Sequence, residues 1–158
     1  MSFIVIDNNG ALHVRDTAPT SAAITREVGE PGWDMVRTAG RTCGFVNDSG
    51  HLVGMPRNLV GSCLLASIGA HPMPYAGPVV ITGWDPHDEL VPLEPEQVAG
   101  QQRIHADIRI VLGLDQGTPS GLAAERWQRA MGKVAELVRD APTPTVIFLS
   151  PGDPGWPF

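Results

Sequence analysis

Cys43-Gly-Phe-Val-Asn47, Asp48-Ser-Gly50, His51-Leu-Val-Gly-Met55, Pro56-Arg-Asn-Leu-Val-Gly-Ser-Cys-Leu-Leu-Ala-Ser-Ile68 and Pro78-Val-Val-Ile-Thr82 follow one another between Thr42 and Trp84, and their order decides the fold. Two short apolar runs around the Asp48-Ser49-Gly50 turn predict a hairpin. Pro56 suits a helix start, and Leu59, Val60, Cys63, Leu64 and Ile68 recur at helical spacing up to Gly69. His71-Pro-Met-Pro-Tyr75 cannot continue that helix, because proline removes a donor and biases its predecessor toward extended geometry. The run from Pro78 closes the unit as a strand. Strand, turn, strand, helix, strand is an architecture without a stated chemistry.

Upstream, Phe3 to Asp7 and Ala11 to Arg15 are strand-like runs joined by Asn8-Asn9-Gly10, whose Asn-Gly pair takes the positive φ values of a hairpin turn. Thr20 or Ser21 caps a helix over Ala22–Val28, Gly29 ends it, and Trp33 to Arg37 alternates as a half-buried strand. Downstream, residues 86–97 are rich in Pro, Glu and Asp and read as a linker between a small domain, 1–85, and an extension, 98–158, packed on the same core. Ile104, Ala106, Ile108, Ile110, Leu112 and Leu114 alternate with polar residues, which predicts a strand. Ala123, Trp127, Ala130, Met131, Val134, Leu137 and Val138 form a helical stripe, and Thr145-Val-Ile-Phe-Leu149 a buried strand. The expectation is an α+β protein: a mixed, mainly antiparallel sheet, two or three helices and a C-terminal strand-helix-strand unit.

The chain has 158 residues, 42% apolar and 18% charged, which suits a globular core and excludes a disordered chain. Its net charge of −6 argues against a basic nucleic-acid-binding face. Lys133 is the single lysine, and arginines are spread from Arg15 to Arg139 rather than clustered, a composition that suggests a GC-rich, actinobacterial-type genome. No apolar run reaches the roughly 20 residues of a membrane span, and Met1-Ser-Phe-Ile-Val-Ile-Asp7 enters a strand without a basic leader. A cytoplasmic location is expected, with Cys43 and Cys63 as packed thiols rather than a disulfide.

Candidate chemistry is sparse. Cys43 with His51 and Cys63 with His71 allow a zinc site to be drawn, but one cysteine falls in a strand and one in a helix, without the close pairs of a knuckle, so no metal is expected. Asp85, His87, Asp88 and Glu89 read as a solvated acidic loop. His105, Asp107 and Arg109 share the polar face of the expected strand. Ser62, Ser67 and Ser120 lack a Gly-x-Ser-x-Gly elbow. Leu112-Gly-Leu-Asp115-Gln-Gly-Thr-Pro-Ser120 is the most suggestive segment, because Asp115, Gly117, Thr118 and Ser120 lie where a strand is expected to meet a helix N-terminus, a place that favours a phosphate or carboxylate. Helix capping by Thr118 or Ser120 explains the same residues. In the tail, Pro151-Gly-Asp-Pro-Gly-Trp-Pro-Phe158, Trp156 and Phe158 offer anchors for a protein partner or a subunit interface.

Phe45-Val-Asn-Asp-Ser-Gly-His-Leu-Val-Gly-Met-Pro-Arg-Asn58, together with Val28-Gly29 and Gly77-Pro-Val-Val-Ile-Thr-Gly83, resembles a family of small domains of unknown function found mainly in bacterial, phage and plasmid genes. The resemblance spans Phe3 to Trp84, with Glu30 and Pro31 departing from the family's glycine pair. It implies the element order and a phage or plasmid context, and it nominates no catalytic residue. The expected function is therefore a non-enzymatic cytoplasmic binding or regulatory protein acting through protein–protein contact at a sheet edge and the aromatic tail, with a homo-oligomer open as its assembly and without a cofactor. The competing expectation is a protein or enzyme that holds a phosphate-bearing metabolite or nucleotide at the loop 113–121.

Overall fold

The computed structural model describes residues 1–87, 89–120 and 124–140. Its elements are β1 (Phe3–Ile6), β2 (Leu12–Arg15), α1 (Ser21–Val28), β3 (Trp33–Arg37), β4 (Thr42–Asn47), α2 (Leu59–Ser67), β5 (Val79–Trp84), β6 (Leu90–Val91), α3 (Pro95–Val111) and α4 (Ala124–Asp140). One six-stranded sheet runs β2-β1-β5-β4-β3, with β6 paired to the far end of β5, and all these pairings are antiparallel. This is the α+β class with a mainly antiparallel sheet. No helix among the described residues is long and apolar enough to cross a membrane.

Helices cover both sheet faces. Phe3, Val5, Cys43, Phe45 and Val80 face α1, whose Ala23, Ile24 and Val28 seal them. Ile4, Ile6, Val79 and Ile81 face the opposite way, into a core with Val60, Cys63, Leu64 and Leu65 of α2, Ile108 of α3, and Met131 and Val134 of α4. Phe3–Ile6 and the Val79–Ile81 run are apolar without alternation because both faces of these central strands are buried. Helix α2 lies between the sheet and the outer helices, so Val60 to Ala66 are all buried. Its contact with the sheet requires Gly44: a Cβ there would sit 2.5 Å from Cδ2 of Leu65.

Asn58 fastens this centre. Its Oδ1 accepts from the Gly61 amide as the α2 N-cap, while Nδ2 donates to the carbonyls of Ile6, Asp7 and Gly77. One side chain thereby joins the ends of β1 and the approach to β5 to the start of α2, so the helix begins at Leu59 rather than Pro56.

Two sequence expectations are corrected. His51–Met55 is not a strand; it is a chain of turns closed by Val53 N–H to Ser49 O and Met55 N–H to Gly50 O, both 2.9 Å. The Asn47 side chain starts it, its Oδ1 accepting from the Ser49 amide and its Nδ2 donating to the carbonyls of Val28, Gly29 and Glu30. Gly50 lies against Ala76, whose carbonyl oxygen would be 2.7 Å from a Cβ. Strand β4 pairs instead with β3 and β5.

The second correction concerns residues 104–114, which belong to the end of α3 and the turn after it. Pro95 occupies the first turn, and the Gln97 side chain accepts from the Glu94 amide at 2.8 Å. Gln101, Ile104, Ile108 and Leu112 face inward at helical spacing, and Ala106, which strand alternation would bury, is exposed. The segment 86–97 holds β6 and the start of α3. The expected strand Thr145–Leu149 lies outside the described residues.

Candidate functional site

Asp115, Gly117, Thr118 and Ser120 lie between α3 and α4, so the expected junction of strand and helix is absent. Arg109 Nε donates to Asp115 Oδ2 at 2.8 Å, and this guanidinium holds the Asp115 carboxyl below the usual carboxylate range. Ser120 is tied to the buried Asp107: its amide donates to Oδ1 at 2.9 Å and its hydroxyl to Oδ2 at 2.5 Å. Gly117 takes φ +129° and Thr118 is exposed. Two of the four, Asp115 and Ser120, are thus tied to side chains of α3.

His105, Asp107 and Arg109 divide between two faces of α3. Asp107 reaches Ser120, whereas His105 and Arg109, one turn apart, both reach the Gly10 carbonyl, at 2.8 and 3.2 Å. That carbonyl belongs to the β1–β2 turn, which Asp7 organises by accepting from the Asn9 and Ala11 amides and meeting His13 Nε2 at 2.8 Å. Burial pushes the Asp7 carboxyl up, but those hydrogen bonds, His13 first, outweigh it and hold it below its usual value. The polar set Asp7, His13, His105, Arg109 and Asp115 clamps the hairpin to α3. The clamp was hidden from sequence reasoning because its signal is the i, i+4 spacing of His105 and Arg109, visible only once the segment is read as a helix.

The cysteines are free and buried apart from the histidines: Cys43 Sγ lies 3.7 Å from the Val36 carbonyl, and His51 and His71 are exposed. Burial pushes the thiols up to about 11 for Cys43 and about 12 for Cys63. Asp85 Oδ1 accepts from the His87 and Glu89 amides and shapes its own loop; Asp88 lies outside the described residues. No group of three metal-ligating side chains occurs among the described residues. Ser67 donates to the Cys63 carbonyl, and Ser62 accepts from the Tyr75 amide. Trp156 and Phe158 lie outside the described residues.

What remains is surface. Strand β3 pairs with β4 and with no other strand among the described residues. Asp48 N–H donates to Gly32 O, and Val36 O faces Cys43, so Gly32, Asp34 and Val36 turn their peptide groups toward β4. Antiparallel alternation then points those of Trp33, Met35 and Arg37 outward. Trp33 is held by an edge-on contact with Phe45 and a bond from its Nε1 to Ser21 Oγ. Met35 is 40% exposed, Asp34 and Arg37 are exposed, and neither charge has an ion pair among the described residues. Beside them, Met35, Arg37, Thr38, Thr42, Cys43 and Trp84 line a cup of about 90 Å³. A larger open cleft, about 740 Å³, lies between the β3–β4 turn, the C-terminus of α2 and the first turns of α3; Gln101 lines it, yet its Oε1 is buried without a donor among the described residues.

A family model described as a domain of unknown function, DUF3846, matches residues 1–106. The chain belongs to this family. The DUF3846 match extends past the Phe3–Trp84 resemblance, through β6, and stops inside α3. No curated protein and no solved structure matches the chain.

Proposed function

We propose that this DUF3846 protein is a non-enzymatic binding module that acts through protein–protein contact at the β3 edge, in the cytoplasm and in a phage or plasmid context. The observation carrying this reading is the row of outward peptide groups at Trp33, Met35 and Arg37 beside the exposed Met35 side chain. An edge of this kind accepts an added strand, main-chain bonds giving affinity and alternate side chains giving selectivity. The internal ties of Asp115 and Ser120, and the raised thiols, support binding over chemistry. The net charge of −6 favours a protein over a nucleic acid as the partner.

Met35→Pro tests the reading. Its N–H points away from β4, so proline leaves the β3–β4 ladder in place while removing a docking donor. The variant is expected to keep its circular dichroism and melting temperature within a few degrees and to lose the protein partners that the full chain retains. Retention of the same partners by Met35→Pro would remove the edge from the account.

A further inference from the structure

The composition of β3 points to a particular occupant, and we propose that the β3 edge pairs antiparallel with β3 of a second copy of this chain, about a twofold axis through Met35. This rests on the edge reading above and names its partner. With Met35 opposite the second copy's Met35, each Trp33 lies opposite the other copy's Arg37, and all three outward residues of each strand find partners, forming about six main-chain hydrogen bonds. Trp33, Met35 and Arg37 share the α1 side of the sheet, opposite Asn47, Phe45 and Cys43. Across the axis this sets a guanidinium against an indole and a thioether against a thioether, with no like charges opposed.

Neighbouring registers are worse for stated reasons. Shifting by two residues in one direction places Asp34 opposite the second copy's Asp34 and leaves Arg37 facing Pro31, which has no N–H. Shifting in the other direction pairs only Met35 with Arg37 and leaves Trp33 opposite Ala39, whose amide is already bonded to the Ile68 carbonyl. The other sheet edge, β2, competes poorly. Ala11 O bonds to Asp7 N–H, so alternation leaves only Leu12 and Val14 pointing outward. Closed twofold pairing also occupies the β3 edge of each copy, so association through that edge stops at the dimer.

The experiment is sedimentation of the full chain over a dilution series, with amide exchange read at Trp33, Met35 and Arg37. Expected are a concentration-dependent dimer, slowed exchange at those three amides, and dimerisation weakened by at least about tenfold in Met35→Pro. Mild oxidation of Met35→Cys should yield a disulfide-linked dimer where Leu52→Cys, at a site 79% exposed, does not. A dimer that persists in Met35→Pro, or equal cross-linking at both positions, overturns the proposal. A monomer at every concentration also overturns it; if Met35→Pro still releases another protein, the edge reading survives the loss of the dimer.

Discussion

Asn58 is 1% exposed and uses both ends of its amide, so removing it leaves three carbonyls and one helix amide without their partner. Asn58→Ala is expected to cost about 2–4 kcal/mol, the sum of a lost cap and buried acceptors left unsatisfied, read as a lowered urea midpoint with unchanged slope. Gln101 presents the opposite case. It is 7% exposed and its Oε1 has no donor among the described residues, so that oxygen carries a desolvation penalty without a compensating bond. Gln101→Leu should raise stability by about 1 kcal/mol; a loss instead would mean the amide serves something in the adjoining cleft. The thiols set an alkaline limit. An unfolded thiol ionises near 9.0, whereas folding moves Cys43 to about 11 and Cys63 to about 12, so the unfolded chain releases protons first. Stability is therefore intact well below pH 9 and declines as pH rises through that window, by roughly 2–3 kcal/mol between about pH 8 and about pH 10 for the two thiols together. Urea midpoints at the two pH values check this, and replacing both cysteines with alanine should flatten the difference.

At the level of elements, legibility followed how much of the signal was local. The β1–β2 turn, the Thr20 cap, β3, α2 and β5 could be read because Asn9-Gly10, a hydroxyl cap and apolar periodicity act within a few residues. His51–Met55 misled because Leu52 and Val53 are apolar yet exposed, and what bends the chain is Asn47 bonding to the end of α1, a contact invisible in the local pattern. In α3, Ile104, Ile108 and Leu112 satisfy alternation and helical spacing together; Glu94-Pro95 and Gln97, ten residues upstream, held the deciding information in a stretch read as linker. The candidate site was legible only as a sheet edge. Which edge, and which of its residues turn outward, depends on the β4 register, which pairs chain segments through Asn47 and Gly44.

On the scale of the molecule, the family match ends at residue 106, but the core does not: Met131 and Val134 of α4 pack with Ile4, Leu64 and Ile81. A chain stopped after residue 106 would cut α3 before Ile108 and uncover α2. It is expected to lose cooperative unfolding and to bind a hydrophobic dye, whereas the full chain unfolds in one sharp transition; a cooperative melt of the shortened chain would show that α4 is dispensable. The sheet order has one more consequence. Strand β5 lies between β1 and β4, pairing Ile4 with Ile81 and Gly44 with Ile81, so among the described residues the two N-terminal hairpins are joined in the sheet by a strand made after both. Until residues 79–84 emerge during synthesis, β1 and β4 lack the strand that pairs with both, so a pause in translation before residue 79 is expected to raise aggregation of the nascent chain.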